Sequence, residues 1–158
     1  PLIRVWLTPE HLQVNPAVTE AVLNADIIVI GPGSLYTSII PNFLVHGIRE
    51  ALQSTLAPKV FVCNVATQPG ETEDYGVSEH IQAFYAHSGI PITHLIVNSN
   101  VEVLPDPLGP VAVEPKRPTD FNGRFMTSDV VDDTLRTRHD SVKLARSVIE
   151  IAKNPRIR

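Results

Sequence analysis

Cysteine is nearly absent from this sequence: Cys63 is the only one in 158 residues, which excludes a disulfide within the chain. Long apolar runs are absent too. A membrane-spanning helix requires about 18 consecutive apolar residues, and no uninterrupted stretch of this sequence is that long. The first residues lack a cationic stretch leading into an apolar one, and no Asn-x-Ser/Thr acceptor occurs. We therefore expect a cytoplasmic protein with no membrane insertion.

What remains is the composition of a folded domain. Hydrophobic residues make up 43% of the chain and charged residues 19%, which is too apolar for a disordered protein. The length suits a single domain, because a chain of this size buries roughly two-thirds of its unfolded surface.

Lys and Arg are missing from residues 65–115, which carry seven acids, whereas residues 116–158 hold ten basic side chains and six acids. A basic C-terminal third suits an anionic ligand such as a nucleotide phosphate. It lacks the interleaved aromatic residues of a single-strand binder, so we expect no nucleic acid partner. The alternative is an ordinary solvated helix and tail.

Strand-like and helix-like segments alternate along the chain. The predicted strands are Ile3–Leu7, Asp26–Ile30, Lys59–Cys63, His94–Asn98 and Arg124–Thr127, with a short addition at Val111–Val113. The predicted helices are Pro16–Asn24, a segment from Ser34 to Ser54, Val77–Ser88 before Gly89, and a final helix capped by Asp140. This order predicts an α/β fold with a mostly parallel sheet and helices on both faces.

Four local features follow from the same pattern. The continuous apolar run Asp26–Ile30 is typical of a strand covered on both faces. Because proline cannot lie deep in a helix, we expect a break and a second helix that begins near Pro41. Five prolines from Pro105 to Pro118 predict an extended surface segment. The final helix is expected to bury the face made of Val142, Ala145, Val148, Ile149 and Ala152.

Polar residues follow three of the predicted strands, at the edge where parallel sheets bind ligands. After the first comes GPGSLYTSIIPN, residues 31–42, in which the glycines let the backbone approach a ligand closely. The motif is neither a dinucleotide fingerprint nor a Walker A loop nor a nucleophile elbow. A capped strand-to-helix turn would explain its glycines but not its hydroxyl groups. The predicted ligand contacts here are Gly31, Gly33, Ser34, Thr37 and Ser38.

Amide and hydroxyl side chains follow the next two strands. Asn64, Thr67 and Gln68 are predicted to hydrogen-bond a ligand's ring or sugar, and Asn98 lies at the end of the third strand. The nearby acids Glu71, Glu73 and Asp74 have the oxygen ligands that magnesium prefers, although such acids are more often simply solvated.

Metal and nucleophile chemistry have little support elsewhere. His80 and His87 are seven residues apart, which does not match the i, i+4 spacing of a helical zinc pair. Cys63 lies within an apolar strand and is expected in the core. No spacing supports a Ser–His–Asp arrangement.

The string TRHDSVKLA, residues 137–145, brings positive charge to a helix start. Arg138, His139 and Lys143 suit a phosphate or diphosphate there, while Asp140 serves as the N-cap. A charged entry to a surface helix is the alternative interpretation.

Taken in order, these strings resemble the gluconeogenesis-factor (YvcK-type) branch of the CofD-like superfamily, whose other branch contains the 2-phospho-L-lactate transferases. The strings that carry the resemblance are GPGSLYTSIIPN at 31–42, VCN at 62–64, TQPGET at 67–72, H-x-G at 87–89, IVN at 96–98 and RHD-x-x-KLA at 138–145.

The resemblance implies a Rossmann-like three-layer α/β/α fold in a bacterial protein that binds UDP-sugars, chiefly UDP-N-acetylglucosamine or UDP-glucose. It implies a regulator of carbon metabolism and of cell-wall and cell-shape maintenance rather than an enzyme, with no certain cofactor. By similarity, Arg138 and the Gly31–Ser34 turn face the ligand. The alternatives are a magnesium-dependent phospho-group transferase that uses Glu71, Glu73 or Asp74, and a partner-binding module that uses residues 105–118.

The resemblance also has a consequence for domain organisation. Nothing here matches the family's N-terminal glycine-rich phosphate loop, so residues 1–158 are expected to form the C-terminal half of a single CofD-like domain. Alone, such a half would expose an open sheet edge. We therefore expect it to be stable only with the other half or as a homo-oligomer.

Overall fold

Four parallel strands form one sheet in the computed structural model, which describes residues 2, 4–10, 12–102 and 109–155. The strands are β1 (Ile28–Ile30), β2 (Lys59–Val62), β3 (His94–Asn98) and β4 (Arg124–Ser128), and they lie in the order β1-β2-β3-β4. The helices are α1 (Pro16–Leu23), α2 (Ile40–Phe43), α3 (His46–Ser54), α4 (Val77–Ser88) and α5 (Ser141–Lys153). A π-helical turn, Leu35–Ile39, precedes α2. The predicted Rossmann-like α/β fold is confirmed.

The two central strands are buried along their whole length. Phe61 of β2 lies opposite Leu95 of β3, and both enter the larger core cluster on one face of the sheet. Val62 and Ile96, the next pair, enter a second cluster on the other face. Because successive side chains of a strand point to opposite faces, this alternation makes two cores, as a three-layer fold requires.

Different helices cover the two faces. On the first face the Phe84 ring of α4 packs edge-on at 4.9 Å from the Phe43 ring and at 5.4 Å from the Phe61 ring. On the second face Ile151 of α5 is fully buried against β2 and β3. Asp140 caps α5 by accepting hydrogen bonds from the N–H groups of Val142 and Lys143. No helix in the described residues is long and apolar enough to cross a membrane.

Two expectations about the first strands are wrong. Residues 4–7 are not a strand, since they pair with no other strand within the described residues; the predicted first residue, Ile3, lies outside them. The second predicted strand, Asp26–Ile30, corresponds to β1 and is covered on one face only. The reason is that α5 packs over β2 and β3 and leaves Val29 of β1 42% exposed.

A helix does begin near Pro41, as predicted, but it is short and a further break follows it before α3. This proline lies at the start of α2, where a missing N–H group costs little, and the chain turns at Leu44 and Val45 before α3 begins. The predicted strand at 111–113 is reduced to one antiparallel bridge between Ala66 and Ala112. Residues 103–108 of the proline-rich segment lie outside the described residues.

The apolar face predicted for α5 is largely wrong. Val142 and Ile149 are 57% and 51% exposed, and Ala145 and Ala152 are exposed as well. The buried face is rotated and consists of Leu144, Ser147, Val148 and Ile151. Ser147 is accepted there because its hydroxyl hydrogen-bonds the Ser128 hydroxyl of β4 at 3.0 Å.

This rotation can be tested by truncating two isoleucines on the same helix. Ile151→Ala removes a fully buried side chain and should lower the free energy of unfolding by about 2–5 kcal/mol, as large-to-small core changes do. Ile149→Ala, the matched control on the exposed face, should change it by less than about 0.5 kcal/mol. Urea denaturation of both variants measures the difference, and equal losses would contradict the observed orientation of α5.

Candidate functional site

A cavity of about 670 Å³ lies beyond the carboxyl ends of β1 and β2. Three stretches contribute its polar lining: the turn after β1, the loop after β2 and the loop that leads into α5. Its lining residues are Pro32, Gly33, Ser34, Asn64, Val65, Ala66, Thr67, Gln68, Pro69, Pro110, Thr137, Arg138 and His139. Of the predicted ligand contacts, Gly33, Ser34, Asn64, Thr67, Gln68 and Arg138 are therefore brought together.

The turn after β1 depends on Gly31. Its backbone has φ +83°, and a Cβ atom there would lie 3.1 Å from Ile39 Cδ1 and 3.2 Å from the Val62 carbonyl oxygen. A side chain at this position would therefore be both strained and crowded. The turn leads into the π-helical turn Leu35–Ile39, whose residues do not line the cavity.

The loop after β2 is tied to this turn by side-chain amides. Asn64 Nδ2 donates to the Gly33 carbonyl at 3.1 Å and lies 3.4 Å from Gln68 Oε1. Gln68 Nε2 donates to the Ser34 hydroxyl at 2.8 Å, while the Gln68 N–H donates to Thr72 Oγ1 at 2.9 Å. Gly33, Ser34, Asn64 and Gln68 thus form one connected polar wall, which is preorganised for a neutral hydrogen-bonding ligand.

Residues 110–113 complete the wall beside Thr67. The Thr67 N–H donates to the Val111 carbonyl at 2.8 Å, and the Thr67 hydroxyl accepts from the Val111 N–H at 2.9 Å. Thr67 is 7% exposed, and its hydroxyl oxygen is already hydrogen-bonded to the backbone of Val111. Pro110, beside this contact, lines the cavity but was not among the predicted contacts. The only sequence feature that pointed to a structured segment here was the strand-like pattern at 111–113.

The opposite side of the cavity carries positive charge. Arg138 is exposed, and no described carboxylate lies within ion-pair distance of its guanidinium. Its neighbour His139 donates from Nε2 to the Cys63 carbonyl at 3.2 Å, which ties this loop to the end of β2. Burial lowers the pKa of His139 below its usual value, although the Cys63 hydrogen bond opposes this.

Four predicted contacts lie outside this cavity. Gly31 and Ser38 line a smaller cavity of about 360 Å³ on the other side of the turn. Thr37 donates its hydroxyl hydrogen bond to Glu71 Oε1 at 2.8 Å. Asn98 is buried, and its Oδ1 accepts from the N–H groups of Asn100 and Val130. Thr37 and Asn98 thus hold loops together.

The acids considered for magnesium do not converge. Glu71 accepts from Thr37, and Glu73 Oε1 accepts from the Gly70 N–H at 2.5 Å. Asp74 has φ +61° in the following turn. Across the described residues, no group of three or more His, Cys, Asp or Glu side chains is placed to hold a metal ion. Cys63 is buried, as expected.

Known proteins resemble this chain in sequence. The family model described as 2-phospho-L-lactate transferase CofD matches residues 1–132. A Bacillus subtilis (strain 168) protein named gluconeogenesis factor is 40% identical over 161 residues, covering 95% of this chain and 50% of that protein. A protein of the same name from Halalkalibacterium halodurans is 53% identical over 89 residues, covering 56% of this chain and 28% of that protein.

The fold has a solved counterpart. The crystal structure of a UPF0052 family member from Bacillus halodurans matches with a TM-score of 0.80 at 36% identity, over 92% of this chain and 49% of that one. The chain thus spans about a third to a half of the length of the first curated relatives that it matches along most of its own length.

Two buried histidines, His80 and His94, and the half-buried His139 predict a pH dependence of stability. Burial lowers the pKa of His80, His94 and His139, so the unfolded chain binds protons near pH 6.5 more readily than the folded chain. The free energy of unfolding should therefore fall as the pH drops from about 7.5 to about 5.5. Urea denaturation at both values measures this.

A substitution isolates one histidine. His139→Gln retains a donor for the Cys63 carbonyl but cannot titrate, so its loss of stability over the same pH interval should be smaller than that of the unchanged protein. Stability that is constant or higher at the lower pH would contradict the assignment of neutral, buried imidazoles.

Proposed function

This chain belongs to the CofD family, and we propose that its cavity binds a nucleotide-linked sugar, with UDP-N-acetylglucosamine and UDP-glucose as the first candidates. The protein would use this binding to regulate carbon metabolism in gluconeogenic growth and the maintenance of cell wall and cell shape. The observation that carries the proposal is the cavity's two-sided chemistry: an arginine that pairs with no carboxylate of the described residues faces a fixed wall of amides and hydroxyls.

A nucleoside diphosphate sugar has the same division of chemistry. Its diphosphate needs a cation, which Arg138 supplies. Its ring and sugar need neutral donors and acceptors, which Asn64 and Gln68 supply. The cavity volume of about 670 Å³ lies within the range typical of small-molecule sites, roughly 300–1,000 Å³.

The relatives support the physiological part of the proposal. Several curated relatives carry the name gluconeogenesis factor. We further propose that the protein works in the cytoplasm, which its single cysteine favours. We also propose that it forms a homo-oligomer and has no nucleic acid partner.

A phospho-group transferase is the second candidate. It is favoured by the description of the matching family model as 2-phospho-L-lactate transferase. Incubation of the intact protein with magnesium, a UDP- or GDP-linked donor and a small-molecule extract that supplies acceptor hydroxyl groups, followed by mass spectrometry, separates the two: the regulator returns the donor unchanged, whereas a transferase moves the phospho group to an acceptor and releases the nucleotide.

Calorimetric titration of the intact protein with UDP-N-acetylglucosamine and with UDP-glucose tests the proposed ligand. Arg138→Ala should weaken binding by about tenfold to a hundredfold, the scale of one hydrogen bond to a charged group. Arg146→Ala, which removes the same charge from an exposed position of α5 outside the cavity, should leave the affinity within about twofold. Failure of both ligands to bind would overturn the proposal.

A further inference from the structure

The loop that carries Arg138, residues 129–140, is closed on itself and is called here the Arg138 loop. The Asp132 N–H donates to the Arg138 carbonyl at 2.9 Å, and the Asp140 N–H donates to the Val130 carbonyl at 2.9 Å. At the tip, Asp132 Oδ1 accepts from the N–H groups of Thr134 and Leu135. These bonds shape the loop, but they do not fix its position over the cavity.

The loop is strongly acidic for a site that binds an anion. Four of its twelve residues are aspartates, namely Asp129, Asp132, Asp133 and Asp140. Carboxylates this close repel one another and repel a phosphate, so the loop needs compensating cations. Asp140 and Asp132 are occupied by backbone N–H groups, which leaves Asp129 and Asp133 to be neutralised.

Lys143, in the first turn of α5, supplies that compensation. Its Nζ lies 3.2 Å from Asp129 Oδ2 and 3.0 Å and 3.1 Å from the two oxygens of Asp133. It also donates to the Val131 carbonyl at 3.0 Å. The hydrogen bond to Asp133 raises the pKa of Lys143, which therefore stays charged. One ammonium group thus ties the first half of the loop, residues 129–133, to α5.

Arg136 fixes the other side of the loop. Its Nη2 donates to the Asn100 carbonyl at 3.1 Å and to Asn100 Oδ1 at 2.8 Å, beyond the end of β3. The same guanidinium pairs with Glu102 at 3.5 Å and with Asp133 at 3.7 Å. Lys143 and Arg136 share Asp133, so the loop is held between α5 and β3 through one carboxylate.

We propose that Lys143 and Arg136 are positioning residues that hold the Arg138 guanidinium toward the phosphates of the ligand, without touching the ligand themselves. This inference rests on the proposed function. The sequence predicts that Lys143 contributes its charge directly to a phosphate. The structure does not support this, because the Lys143 ammonium already contacts three loop residues and Lys143 does not line the cavity. Within the described part of the chain Arg138 has no carboxylate partner, because these two cations occupy the nearby acids.

The test is calorimetric titration of the intact protein with UDP-N-acetylglucosamine and, by competition, with uridine. Lys143→Met should weaken UDP-N-acetylglucosamine binding by about tenfold and leave uridine binding unchanged, because uridine has no phosphate for Arg138 to contact. In an Arg138→Ala background the same change should cost almost nothing further. Lys153→Met, at the far end of α5, is the matched control and should have no effect.

Asp133→Asn separates positioning from simple electrostatics. Removal of a negative charge near an anionic ligand would strengthen binding if charge alone mattered, whereas loss of the shared carboxylate weakens it if the loop must be held. Asp133 is largely exposed, so this variant also serves should Lys143→Met fold poorly.

Three outcomes would overturn the inference: unchanged affinity in Lys143→Met, an equal loss in the Arg138→Ala background, or tighter binding in Asp133→Asn. If the unaltered protein binds uridine but gains nothing from the phosphates, the positioning role fails while a nucleoside site survives. If it binds neither compound, the proposed function itself has failed.

Discussion

The parallel pairing of β1 with β2 is the constraint on which the site depends. Three register pairs, from Ile28 with Lys59 to Ile30 with Phe61, bring the carboxyl ends of both strands to one edge. The turn after β1 and the loop after β2 then meet, although Ser34 and Gln68 are 34 residues apart in the chain. Antiparallel pairing would place these polar segments at opposite edges, and no cavity would form between them.

The strands and helices with the strongest local sequence signals were predicted well, because tertiary contacts had little effect on their bounds. β3 coincides with the predicted His94–Asn98, and α4 ends at Gly89, whose φ of +64° explains why a glycine terminates that helix. The wrong predictions concern burial that depends on how other elements pack against β1 and α5. Whether Val29 is covered depends on where α5 lies, and the periodicity of β1 contains no information on that. The face of α5 was misjudged because Ser147, a polar residue, finds a hydroxyl partner in β4 and enters the core in place of Ile149.

The same distinction explains which site residues were predictable. Position at the end of a parallel strand identified Gly33, Ser34, Asn64 and Gln68, since backbone topology alone places them at the cavity. Side-chain direction is not encoded in that rule. Thr37 turns to Glu71 and Asn98 turns to the Asn100 and Val130 amides, so both strengthen the loops around the cavity rather than lining it. Pro110 reaches the cavity from a distant part of the chain, through backbone contacts of residues 111–113 with residues 65–67. The sequence singled out His139 for a phosphate, but it could not reveal that its Nε2 donates to the Cys63 carbonyl instead.

The acid-rich sequence around Arg138 is unexpected beside a cavity that we propose binds a phosphate. Its carboxylates become an advantage once their partners are identified, because each is engaged in fixing the loop. Asp140 caps α5, Asp132 forms the tip turn, and Asp133 joins Lys143 to Arg136. Since these hydrogen bonds and ion pairs are formed before a ligand arrives, the loop backbone that carries Arg138 need not be ordered when the proposed ligand binds. A loop with fewer acids would carry more net positive charge but would hold that charge less firmly in place.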